Sequence, residues 1–196
     1  KSTLLGIIAG FIPIESGRIG FEGVDLTELA PAKRPISILF QDNNLFPHLS
    51  ITQNVGLGLR GKLRLSASEE EQVARVLEEV GLGGLEARKP AALSGGQQSR
   101  VALARVLLAG HPIVLLDEPF AALGPRLKEE MLDLVKERLV PLGRTVVMVS
   151  HDPDDAKRIA DNVCLVAGGV VSEPVGTVDI FANPPSALRD YLGEMG

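Results

Sequence analysis

Ile113-Val114-Leu115-Leu116 is a continuous apolar run, and Asp117-Glu118-Pro119 follows it at once. A strand with one wet face alternates apolar and polar residues, so a run without alternation needs cover on both faces. Thr145-Val146-Val147-Met148-Val149 reads the same way, and Ile36-Ser37-Ile38-Leu39-Phe40 is a compact β-branched strand. Helical patterns occupy 97–109, 126–139 and 153–160. Strands of this kind spaced by helices predict an α/β fold around a mostly parallel sheet buried on both faces.

The remaining segments fit around that sheet. Residues 3–10 predict a helix with Leu4, Leu5, Ile7 and Ile8 on its apolar side, ending near Gly10. Phe11 to Gly23 suits short strands and turns. Between Asp42 and about Arg88 strand signals vanish: Thr52 to Leu59 reads as a short helix, and Ser68 to Val80 as a clear one. Ser68 is its expected N-cap, Glu71 the capping-box partner and Gly81 the stop. This stretch predicts a helical insert. Val163 to Val178 predicts a terminal hairpin region turning at Gly168-Gly169.

Composition narrows the function classes. With 196 residues, 45% of them apolar, the chain can bury a sizeable core and a smaller subdomain. A net charge of −5 without a basic tract offers no footing for nucleic acid. Cys164, the only cysteine, lies in an apolar run and is expected buried in a strand, in a reducing compartment. No apolar run reaches membrane-spanning length.

Five places carry candidate chemistry. Lys1-Ser2-Thr3 before an apolar helix has the form of the end of a phosphate-binding loop: lysine on the β- and γ-phosphates, hydroxyl on Mg²⁺, helix N–H groups facing the anion. Asp117 and Glu118 stand at the carboxyl end of a strand, where ligands bind in open α/β sheets. Asp117 suits a Mg²⁺-associated role and Glu118 a base for an attacking water; a solvated strand end is the alternative. Gln41 follows a strand, as a linker ligand or a surface residue. His151, in Ser150-His151-Asp152, suits a γ-phosphate contact or an ordinary loop. Leu93-Ser94-Gly95-Gly96-Gln97 offers two glycines for close backbone approach, a hydroxyl and a helix N-terminus. That is a second anion site, and one nucleotide needs only one, so each of two chains is inferred to supply half of each site.

These elements, in this order, resemble the ATPase subunits of ABC transporters: Lys1-Ser2-Thr3 the end of the Walker A loop, Gln41 the Q-loop glutamine, Leu93–Gln97 the signature, Ile113–Glu118 Walker B with the catalytic glutamate, and His151 the switch histidine. The resemblance implies a P-loop ATPase core over residues 1–41 and 103–196, and a helical subdomain over 42–102 ending in the signature. It implies ATP held with Mg²⁺. Lys1 and Thr3 would contact phosphates, and Ser2, Gln41 and Asp117 would serve the metal. Glu118 and His151 would be catalytic, and Ser94, Gly95, Gly96 and Gln97 would reach the partner's ATP. The implied assembly is a homodimer on transmembrane permease subunits, served indirectly by a periplasmic solute-binding protein. It would sit peripherally on the cytoplasmic face of the bacterial inner membrane.

Asn43-Asn44-Leu45-Phe46 resembles the thiamine-importer members; ferric iron, sulfate, molybdate and polyamine importers share Leu-Phe-Pro-His, and a non-transport ABC ATPase is the remote alternative. Two departures stand out. Gly124 replaces the acid that usually ends the D-loop. The chain also opens at Lys1 without Met, so the natural protein is expected to continue upstream. A first strand and most of the Walker A loop are expected there, and the segment alone is expected to bind ATP negligibly.

Overall fold

The computed structural model describes residues 1–60 and 64–193, in two compact units: Ser2–Val149, and Lys1 with the chain from Ser150 onward. The larger unit opens with α1 (Ser2–Ala9), closed by Gly10 at φ +85°. A short antiparallel hairpin follows, β1 (Gly20–Phe21) and β2 (Val24–Asp25), turning through left-handed Glu22 and Gly23. Next come β3 (Ile36–Leu39), α2 (Ile51–Arg60), α3 (Ala67–Glu79) and α4 (Gly95–Ala109). The unit closes with β4 (Ile113–Asp117), α5 (Pro125–Leu139) and β5 (Thr145–Val149).

β3, β4 and β5 form a parallel sheet in that order, with Leu39 opposite Leu116 and Asp117 opposite Val149. β4, in the middle, is buried along Ile113–Leu116, as its unbroken apolar run requires. β5 departs from the expectation of burial on both faces. Among the described residues β4 is its one strand neighbour, Thr145 is exposed and Val147 is 37% exposed. An apolar run shows tolerance for burial; the number of neighbours decides it. Leu5 and Ala9 of α1 pack with Leu26, Ile113, Leu115 and Val149 in one cluster. This packing brings α1 against the sheet.

Arginines satisfy helix C-terminal carbonyls that have no partner within the helix. Arg34, 6% exposed, donates to the carbonyls of Ile7 (2.9 Å) and Ile8 (2.7 Å) in α1. It also donates to those of Leu29 and Thr27 (2.9 Å each). A β-carbon on Gly10 would lie 2.7 Å from its Nε. Arg100 serves Val80 behind α3 at 2.9 Å, and Arg144 serves Val106 (3.2 Å) and Leu107 (3.0 Å) in α4. α2 and α4 approach closely at Gly58, where a β-carbon would meet the Arg105 carbonyl at 2.4 Å.

α3 begins one half-turn earlier than its sequence suggests. Ser66, not Ser68, is the N-cap: it accepts from the Glu69 N–H (3.4 Å), and Glu69 accepts from the Ser66 N–H (2.7 Å). Ser66-Ala67-Ser68-Glu69-Glu70-Glu71 offers the same box in two registers. The earlier one adds helix and seats Leu65 over Gly56 of α2.

The smaller unit holds α6 (Pro153–Ile159), β6 (Asn162–Val163), β7 (Val166–Ala167), β8 (Val170–Val171), β9 (Val175–Gly176), α7 (Thr177–Ala182) and α8 (Ser186–Gly193). β7 and β8 pair as a hairpin through Gly168 and Gly169 at φ +55° and +80°, the turn the sequence predicts. β6 pairs with β9. Cys164 corrects the sequence reading: it is exposed, in the link between β6 and β7, not buried in a strand. Two-residue strands leave such links at the surface whatever their hydropathy.

Candidate functional site

β4 ends at Asp117, and the next residue turns sharply. Glu118 has φ +45°, left-handed for a residue with a β-carbon, and its N–H donates to the Val149 carbonyl at 3.0 Å. Such a conformation costs of order 1 kcal/mol and persists only where its surroundings hold it. Both acids are partly buried. The parallel register sets the carboxyl ends of β3 and β4 side by side. Gln41, two residues past Leu39, therefore leaves the sheet at the same end as Asp117 and Glu118; it is exposed on a turn.

The helix start meets the strand end here. Ser2 Oγ, on the first residue of α1, donates to Asp117 Oδ1 at 3.1 Å, across 115 positions of sequence. Thr3 is exposed in the same turn. The pair offers a hydroxyl and a carboxylate oxygen and no imidazole or thiolate, a donor set that fits a hard cation such as Mg²⁺. No group of three or more His, Cys, Asp and Glu able to hold a metal exists among the described residues.

Ser94 is the N-cap of α4 in a complete capping box. Its Oγ accepts from the Gln97 N–H (3.3 Å), and Gln97 Oε1 accepts from the Ser94 N–H (3.0 Å). The Ser-x-x-Gln spacing is thus a helix-start signal as well as a candidate ligand site. The two glycines also differ. A β-carbon on Gly95 meets nothing within 4 Å, whereas one on buried Gly96 would lie 2.3 Å from Leu127 Cδ2 of α5. Gly95 leaves room for a ligand; Gly96 answers to internal packing. The side chains of Ser94 and Gln97 serve each other's backbone, and no hydrogen bond joins them to Ser2 or Asp117.

The smaller unit carries the two remaining candidates. Lys1 Nζ donates to the Ser150 carbonyl at 3.0 Å. His151 is exposed, and its carbonyl accepts from the Tyr191 hydroxyl of α8. Around it, Ser150 Oγ donates to the Asp155 carboxylate and accepts from the Asp152 N–H (2.9 Å), while Asp152 caps α6 through the Asp154 N–H (3.0 Å). Tyr191 and Asp155 had no signal in the sequence, because both act over distances that local pattern does not report.

Further residues build the segment after Gln41. Asn43 and Asn44 have φ +58° and +45°, and Arg105 of α4 donates to both their carbonyls. Asparagine tolerates this region better than most residues, so Asn43-Asn44 has a local backbone reason. Buried Asn54 grips the following loop. Its Oδ1 accepts from the Phe46 N–H (2.8 Å), and its Nδ2 donates to the carbonyls of Phe46, Leu49 and Ser50.

A hydroxyl-bearing helix N-terminus hydrogen-bonded to an acid at the end of a parallel strand, with a second acid next in line, is an arrangement suited to phosphate in an α/β protein. Residues 1–121 match the family described as ABC transporter, and the chain belongs to it. Within that family it is 58% identical over 193 residues to the Thiamine import ATP-binding protein ThiQ of Ruegeria sp. (strain TM1040), covering 98% of this chain and 84% of that protein. Identity to the protein of the same name in Cereibacter sphaeroides is 56%, with the same coverage. For Brucella suis biovar 1 it is 50% over 196 residues, covering 100% of this chain and 81% of that protein.

Proposed function

We propose that this chain is the ATP-hydrolysing subunit of an ABC importer that takes up thiamine. The observation that carries the ATPase reading is the 3.1 Å bond from Ser2 Oγ to Asp117 Oδ1. It links the helix start suited to phosphate with the acid suited to the metal. The thiamine reading rests on relatives 50–58% identical over nearly the whole chain, each a thiamine import ATP-binding protein.

The residue roles follow from their chemistry. The N–H groups of α1 and the Thr3 hydroxyl face the phosphates. Ser2 and Asp117 hold Mg²⁺, directly or through water, with Gln41 as a further ligand; Mg²⁺ neutralises charge on the β- and γ-phosphates when bound. Glu118 orients a water and accepts its proton as oxygen bonds to the γ-phosphorus and the bond to ADP breaks. Its N–H bond to Val149 keeps the carboxylate's backbone from swinging away. Lys1 and His151 are assigned phosphate contacts on the family's pattern.

The second half of the site belongs to another copy. Ser94 Oγ accepts from the Gln97 N–H, which leaves its own proton for a phosphate oxygen of the partner's ATP. Gly95 admits that phosphate to the N–H groups of the helix start, with Gly96 and Gln97 completing the turn. The working assembly is then a homodimer on permease subunits at the cytoplasmic face of the inner membrane, fed by a periplasmic binding protein. The ATPase core is taken as residues 1–41 and 103–196, and the helical subdomain as 42–102. No helix among the described residues is long and apolar enough to cross a membrane.

The test is steady-state ATP hydrolysis by the full-length subunit assembled with its permease in lipid vesicles. Thiamine, delivered with its binding protein, is expected to raise the rate, and ferric iron, sulfate and spermidine are not. Stimulation by one of those solutes without stimulation by thiamine would overturn the cargo.

A further inference from the structure

The turn after β3 and the first turn of α4 share one hydroxyl. Asn43 Nδ2 donates to Ser99 Oγ at 3.3 Å, and Ser99 Oγ donates to the Gly95 carbonyl at 3.2 Å. Ser99 is 1% exposed, so no water competes for either bond. One helical turn and a half further along α4, Arg105 Nη1 donates to the Asn44 carbonyl (2.9 Å) and Nη2 to the Asn43 carbonyl (2.8 Å). Two consecutive left-handed asparagines are thereby pinned from the helix that carries Ser94 to Gln97.

The amide of Asn43 is incompletely satisfied. Its Oδ1 is buried with no hydrogen-bond partner. A buried acceptor left unmade is costly, so the Asn43 side chain is held by its bond to Ser99 and by its pinned backbone rather than by a full set of partners. Ser99 gives its one proton to the Gly95 carbonyl, which leaves its oxygen to accept from Asn43. Movement of the turn that carries Asn43 away breaks this bond at the hydroxyl that holds Gly95, a contiguous chain of the kind that carries coupling.

We propose that Asn43, Ser99 and Arg105 are positioning residues that tie the placement of the Gln41 turn to the geometry of the Ser94–Gln97 helix start. The proposal rests on the ATPase reading above and adds to it a path. Displacement of the turn by a permease reaches Gly95 through Ser99, and it alters the hydroxyl and N–H groups offered to the partner's ATP. The residues touch no reacting atom.

The experiment uses Asn43→Gly, Ser99→Ala and their combination in the full-length subunit, with Arg105→Lys as a third single change. Glycine accepts the left-handed backbone of position 43, and alanine is the best helix former, so these variants fold. Two readouts are taken. In vesicles with the permease, each of the two changes is expected to lower the thiamine-stimulated rate at least about fivefold, the lower end for coupling between sites. Basal hydrolysis is expected to fall less than the stimulated rate. The double variant is expected to be no worse than either single, and Arg105→Lys, which can hold the carbonyls less rigidly, to be intermediate. In the full-length subunit without ATP, Asn43→Gly is expected to speed amide exchange at Gln97 to Ser99. Parental stimulation in the single variants, or losses that multiply in the double, overturns the proposal. A parent that thiamine does not stimulate overturns the cargo reading instead. Amide exchange then decides the coupling: faster exchange supports it, and unchanged exchange overturns it.

Discussion

Gly95 and Gly96 stand side by side in one motif for different physical reasons, and they should behave differently when changed. Gly96→Ala pushes a β-carbon into Leu127 and is expected to destabilise the fold by about 1–3 kcal/mol in urea denaturation. Gly95→Ala meets nothing, so its stability should hold while the rate of ATP hydrolysis falls. Equal losses of stability would show that Gly95 also answers to packing. A sequence shows two glycines; only the neighbour across the helix interface separates them. Asp117 and Glu118 were legible as acids at a strand end because an apolar run of strand length must stop where polarity returns. The left-handed turn at Glu118 was not, since nothing in Asp-Glu-Pro announces it.

Helix boundaries were legible to within a residue for α1 and α5. α3 shows the limit: two overlapping capping boxes fit equally well locally, and packing of Leu65 on α2 decides between them. Ser66→Ala is accordingly expected to cost about 1 kcal/mol, and Ser68→Ala a few tenths at most, by thermal or urea unfolding. The arginines that close α1, α3 and α4 were invisible in the sequence, because a helix C-terminus can be served from any distance along the chain. Arg34→Ala removes the donor to the partly buried Ile7 and Ile8 carbonyls of α1, the first of which keeps its bond from the Gly10 N–H, and should lower stability by about 2 kcal/mol in the same assay. No loss would mean that those carbonyls find water. Asn54 acts on the loop from Phe46 to Ser50 in the same way. Its change to alanine is expected to cost about 2–3 kcal/mol and to weaken permease binding in co-purification.

At the scale of the molecule, the α/β class was readable from strands that lack alternation and are spaced by helices, and the three-stranded parallel sheet bears this out. The half-covered face of β5 was not readable, since its residues would suit either environment. The candidate site was legible as residue types in order. Geometry adds the bond between Ser2 and Asp117, the box that orders Ser94 and Gln97, and the ties from α4 to the Gln41 turn. Family membership makes the same order intelligible, with residues 1–121 spanning α1, the Leu93–Gln97 stretch and both acids. The account stands most directly on Glu118 as the group that activates water. Its test is single-turnover ATP hydrolysis by the full-length subunit assembled with its permease, parent against Glu118→Gln. The amide keeps the size and backbone of the acid but cannot take a proton. The variant should retain ATP binding and accumulate an ATP-bound dimer, with hydrolysis slowed about 100-fold or more. Hydrolysis at the parental rate would contradict the account.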